Sequence, residues 1–110
     1  MTTGKPTIRS TFAADPEMKE LVEFFVQEMP GRIASLRKAF DSASLADLTR
    51  LAHQLKGASG GYGFPSIGAK AALIENALKS DPTPSPSTLA RIKADLDELI
   101  DLCTRASASD

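Results

Sequence analysis

The chain has 110 residues, 25% of them charged, a net charge of -1, one cysteine and one histidine. That length holds a single domain with a single core and leaves no room for a nucleotide-binding catalytic domain besides. Scattered Lys and Arg exclude a basic nucleic-acid stripe, and one cysteine with one histidine can complete neither an internal disulfide nor a structural zinc site.

Residues 1–14 are polar apart from Ile8 and Phe12 and read as a loose arm that lays those two side chains across one end of the domain. Met1-Thr2-Thr3-Gly4-Lys5 opens no secretory signal, and the longest strongly apolar run, Leu21 to Val26, is broken by Glu23. The expectation is a cytoplasmic chain with no membrane span. A helix is predicted from Asp15-Pro16-Glu17, an N-cap acid followed by a first-turn proline. Leu21, Val22, Phe25, Val26 and Met29 continue it at helical spacing, as do Ile33, Leu36 and Phe40 beyond Pro30-Gly31. Proline in a helix interior removes a hydrogen bond and clashes with the preceding turn, so Pro30 predicts either a kink or two helices end to end.

Ser44 is the expected N-cap of the next helix, which runs into Gly60-Gly61-Tyr62-Gly63. At about 100° per residue, with His53 set at zero, Leu45, Leu48, Leu51, Ala52, Leu55 and Ala58 fall between about 140° and 280° and form the buried face. His53 points the other way, flanked within about 60° by Thr49, Arg50, Lys56, Gly57 and Gly60. Glycine in a helix costs roughly 1 kcal/mol relative to alanine, so Gly57 and Gly60 beside an exposed imidazole suggest access for another molecule. Neutral imidazole is nucleophilic at physiological pH, and Lys56, one turn along, could meet the nearly two negative charges of a phosphoryl group. The competing reading is an ordinary surface histidine, which leaves Lys56, Gly57 and Gly60 without a reason.

Phe64-Pro65-Ser66 opens a further helix whose Ile67, Ala71, Ile74 and Leu78 face the core. His53 and Glu75 are each eleven residues from Phe64. In an αα-hairpin pivoting there they share one height, where the carboxylate can fix the imidazole tautomer and leave the other nitrogen free to attack. The alternative for Glu75 is a solvated surface carboxylate. Ser80 to Ser87 reads as a proline-punctuated loop, and a last helix spans about Thr88 to Arg105, with Cys103 continuing the apolar series Leu89, Ile92, Leu96 and Leu99. Residues 106–110 are expected to fray. Four principal helices over residues 15–105 give an all-α chain, an antiparallel up-and-down four-helix bundle.

Leu51-Ala52-His53-Gln54-Leu55-Lys56-Gly57-Ala58-Ser59-Gly60, continuing to Leu73-Ile74-Glu75, resembles the histidine-containing phosphotransfer (HPt) domain of two-component phosphorelays, whose AHxLKG motif is met in full. The resemblance implies a monomer in which His53 takes a phosphoryl group on Nε2 from an aspartyl phosphate of one response-regulator receiver domain and passes it to another. A hybrid histidine kinase would feed the relay. By the same resemblance Lys56 contacts the phosphoryl oxygens, Gly57 clears the approach of the receiver, and Glu75 stands where the family has glutamine or glutamate bonded to the imidazole. Lys79 stands where some members carry a basic residue, and as a residue of this sequence it reads as an ordinary solvated lysine. No cofactor is implied for the chain itself; magnesium and the aspartate belong to the receiver, and neither nucleic acid nor membrane is a partner. Phe24 or Phe25 would add an apolar docking contact. A kinase dimerisation helix fits less well, because Gln54 follows the histidine where such helices carry an acid. The glycines of residues 57–63 lack the GxxxxGK[ST] phosphate loop. A helical adaptor that binds receivers without taking phosphate is the alternative from another class.

Overall fold

Apolar residues recurring every three to four positions become five helical segments in the computed structural model, which describes residues 6–80 and 86–108. They are α1 (Lys19–Gln27), α2 (Met29–Asp41), α3 (Leu45–Gly61), α4 (Pro65–Lys79) and α5 (Pro86–Arg105), with two short strands, β1 (Ile8–Arg9) and β2 (Ala106–Ser107). Helix α3 packs on both α2 and α4, and α5 on both α4 and α2, so these four enclose one core. Val22, Phe25, Leu36, Leu48, Leu55, Ile67, Ile74, Leu99 and Cys103 lie within it. Burial pushes the Cys103 thiol up to about 12, as fits a small apolar core residue.

Pro30 divides the first helical region into two segments end to end, sharing Glu28 as the cap of both. The proline sits in the first turn of α2, where its missing N–H has no intrahelical acceptor to lose. Helix α1 starts later than Asp15-Pro16-Glu17 predicts. The Asp15 carboxylate accepts the Glu17 N–H at 2.9 Å and the Asp15 carbonyl accepts the Met18 N–H at 3.0 Å. Asp15 therefore closes a separate turn, and the helix begins at Lys19.

Helices α2 and α3 end alike. Ser44 N–H donates to Ala39 O and Ala43 N–H to Phe40 O, while Phe64 N–H donates to Ser59 O, the six-to-one bond of a Schellman ending. The left-handed residue is Gly63 after α3 (φ 85°) and Ala43 after α2 (φ 56°). Phe64, with no apolar role in the sequence reading, is fully buried as the residue before Pro65.

The arm and tail are not loose where they are described. Ile8 pairs with Ala106 and Arg9 with Ser107 in a parallel register. Beyond β1, the Ser10 hydroxyl donates to Tyr62 O at 2.6 Å and Thr11 N–H donates to Gly63 O at 2.8 Å. Ile8 and Phe12 pack against the core, as expected of the arm. Of the expected loop at Ser80 to Ser87, residues 81–85 lie outside the described residues, and helix α5 already begins at Pro86 rather than Thr88.

Candidate functional site

Helix α3 presents His53 to solvent with 63% of its side chain exposed, because Leu48, Ala52 and Leu55 hold the opposite face in the core. A Cβ built on Gly57 or on Gly60 would meet no atom within 4 Å. Packing among the described residues therefore does not require either glycine. Gly68 is the one the helix pair uses, since its Cβ would touch Lys56 O at 3.4 Å and Ser59 Cβ at 3.5 Å. The remaining polar residues of the predicted face are engaged locally. Thr49 donates its hydroxyl to Leu45 O at 2.8 Å, and Arg50 lies 3.3 Å from Asp47. The Ser44 hydroxyl and then Arg50 hold the Asp47 carboxyl below its usual range.

Glu75 belongs to α4 and is 1% exposed. The hairpin brings its Oε2 to 2.8 Å from His53 Nδ1. An ionised carboxylate can only accept, so Nδ1 carries the proton and the lone pair of the neutral ring is on Nε2. Lys56 Nζ stands 2.9 Å from Oε1 and Lys79 Nζ 3.0 Å from Oε2. Lys56 foremost, then Lys79, with His53, hold the Glu75 carboxyl down at about 2 against the opposing effect of burial. The arrangement is an oriented, mostly exposed imidazole with its lone pair on Nε2, backed by a carboxylate with two ammonium groups.

His53, Lys56 and Glu75 thus come together as the hairpin count and the helical wheel expect. Glu75 is not the solvated surface carboxylate of the alternative reading. Lys79 is not an ordinary solvated lysine either: although 61% exposed, it pairs with Glu75 one turn away. Its i,i+4 spacing from a buried carboxylate was the available signal. Between the two candidate aromatics, Phe25 is fully buried, with its ring centroid 5.4 Å from Phe64 and 5.1 Å from Tyr62, whereas Phe24 is 56% exposed. Leu21, placed by its spacing in the apolar stripe, is 47% exposed on the same helix. A shallow groove between the α1–α2 junction and α3 is lined by Gln27, Gly31, Ser35, Leu51 and Gln54.

Among the described residues, no three His, Cys, Asp or Glu side chains group to hold a metal ion, and no helix is long and apolar enough to cross a membrane. No curated protein and no solved structure matches the chain. The family model of the Hpt domain does, over residues 20–102, a span that contains α2, α3, α4 and every residue of the His53 cluster. With that match over most of its length, the chain belongs to the Hpt domain family, the histidine phosphotransfer modules of two-component phosphorelays.

Proposed function

We propose that His53 is the phosphorylated residue and that the protein carries a phosphoryl group from one response-regulator receiver domain to another, in a relay that begins at a hybrid histidine kinase. The observation that carries this is the 2.8 Å contact between His53 Nδ1 and a buried, ionised Glu75. It supports a ring poised to react at Nε2. In the forward step the Nε2 lone pair attacks the phosphorus of the receiver's aspartyl phosphate, the P–O bond to aspartate breaks, and the aspartate carboxylate leaves with the electron pair. The ring becomes a phosphoimidazolium that keeps its Nδ1 proton and donates it in a hydrogen bond to Glu75. Lys56 turns its ammonium to the phosphoryl oxygens, stabilising charge as it develops. Oriented imidazole and phosphate held in line supply the rest of the rate. The return step runs the same bonds backwards onto a second receiver.

The reading takes α2 to α5 as an antiparallel up-and-down bundle and the protein as a cytoplasmic monomer. The receiver supplies the aspartate and magnesium, and docks over bare Gly57 and Gly60, the groove beside Gln54 and exposed Phe24, with Thr49 and Arg50 at the edge. Incubation with a phosphorylated receiver should give an acid-labile, base-stable phosphoprotein. An unchanged yield from His53→Gln refutes the assignment, and receiver binding without any label in the unsubstituted protein points instead to an adaptor.

A further inference from the structure

We infer that Lys79 is a positioning residue of this site: it holds Glu75 charged when Lys56 turns away to the phosphoryl group, so that His53 keeps its Nδ1 proton. The inference rests on the reading that His53 carries the phosphoryl group. Its basis is an asymmetry between the two lysines. Both contact the same buried carboxylate, but Lys79 belongs to the helix of Glu75, at i,i+4, whereas Lys56 belongs to α3, on the solvent face of His53. Lys56 faces Oε1, a buried atom that receives no aligned hydrogen bond, while Lys79 faces Oε2, the oxygen that accepts from His53. Neither ammonium makes an aligned hydrogen bond to the carboxylate; Lys56, three residues from His53 on the same helix, is the one that a phosphoryl group on that ring draws away, while Lys79 stays on the helix of Glu75. The charged and titratable groups around Glu75 among the described residues are His53 and Lys56 from α3 and Lys79 from its own helix.

A phosphoryl group on Nε2 brings nearly two negative charges to within reach of Lys56. Once that ammonium leaves, Lys79 is the remaining ammonium beside a carboxylate that is 1% exposed. Without it, a buried carboxylate next to a phosphoimidazolium takes the Nδ1 proton, since an uncompensated buried charge is strongly unfavourable. The ring would then be a neutral phosphoimidazole with Glu75 protonated. Onward transfer breaks the P–Nε2 bond and leaves the electron pair on Nε2. With the Nδ1 proton retained the leaving group is neutral imidazole; without it, imidazolate, a far poorer one. Lys79 thus acts through Glu75 on the second half of the relay and needs no contact with phosphate.

The test is a double-substitution cycle read by transfer from the phosphorylated protein to a receiver across pH. Lys79→Met should slow this step by about tenfold, with the loss shrinking as pH falls and the ring regains its Nδ1 proton, and Lys79→Arg should restore most of the rate. In a Glu75→Gln background the amide oxygen accepts the Nδ1 proton without needing a counterion, so Lys79→Met should there have little further effect. Equal loss in both backgrounds would mean that Lys79 touches phosphate directly, and overturns the inference while leaving the phosphorylation of His53 standing. An NMR titration of the Glu75 carboxyl carbon in the unphosphorylated protein gives an independent reading. It should move upward in Lys79→Met, and an unmoved titration also overturns the inference. Failure of the unsubstituted protein to accept phosphate removes the inference together with the function on which it rests.

Discussion

Glu75 Oε2 lies 2.8 Å from His53 Nδ1 and is almost wholly withdrawn from water, whereas the imidazole it orients is mostly exposed. A fixed, buried acceptor under a solvated ring defines the tautomer without closing the reactive nitrogen. The carboxylate itself stays ionised throughout the ordinary pH range. The Glu75 carboxyl is held at about 2 against an ordinary 4.5, so its contribution to stability is complete above about 4.5 and is lost as pH falls through about 2. Denaturation of the unsubstituted protein and of Glu75→Gln between pH 7 and pH 2 should show the difference between the two shrinking over that acid window. A difference that stays constant from pH 5 down to pH 2 would show that its partners do not hold the Glu75 carboxyl down.

Under the proposed function, Gly57 should separate folding from transfer. Open space surrounds its Cα, so Gly57→Ala should stabilise the helix by about 1 kcal/mol. A larger side chain such as leucine should also fold, with a melting temperature no lower than that of the starting protein, yet lose transfer from the receiver by tenfold or more, about 1.4 kcal/mol in barrier. Thermal melts and transfer assays on the same samples check this. Unimpaired transfer in Gly57→Leu would remove the clearance role.

Ala43 and Gly63 form a matched pair. Each is the left-handed residue after a helix, but only Gly63 is free of the penalty that a Cβ brings there. Ala43→Gly should relieve about 1–2 kcal/mol of conformational strain, offset in part by added freedom of the unfolded chain, for a net gain of about 0.5–1 kcal/mol. Gly63→Ala should do the reverse and more, because its Cβ would collide with Ser10, Thr11 and Phe12 and displace the arm. Urea denaturation distinguishes the two directions.

Phe24 and Phe25 should respond oppositely to truncation. Phe25→Ala removes a buried ring stacked on Phe64 and should cost about 3–5 kcal/mol. Phe24→Ala should change stability by no more than about 0.5 kcal/mol while weakening receiver binding, measurable by calorimetry. Undiminished affinity would place the docking surface elsewhere.

The buried hydroxyl of Ser59 has no hydrogen-bond partner among the described residues. Ser59→Ala should therefore raise stability by about 1 kcal/mol, the penalty of an unsatisfied buried polar group, and a fall in the urea midpoint would reveal a bond the geometry does not show.

Much of this site was legible in the sequence because α3 and α4 are regular and the turn between them is short. Helical periodicity gave the direction of His53, and counting from Phe64 gave the height of Glu75. Less regular parts were not legible. The spacing of Leu21 matches the apolar stripe, yet its exposure depends on how α1 rolls on the α3–α4 turn, a tertiary matter. Asp15 has the residue type of a helix cap but satisfies a preceding turn, and residue type cannot distinguish the two. The pairing of β1 with β2 joins segments of two residues each, too short for any alternation to register. Lys79 was misread because exposure and pairing are compatible in a long, flexible side chain.

The parallel sense of that two-residue ladder has a mechanical consequence. Chain entering Ile8 and chain leaving Ser107 depart from opposite ends of it. Tension applied through the two flanks would pull the strands past one another along their length and load the ladder as a whole, instead of peeling it open one residue at a time. The joint between the two ends of the fold is therefore arranged in the direction in which so short a ladder resists force best.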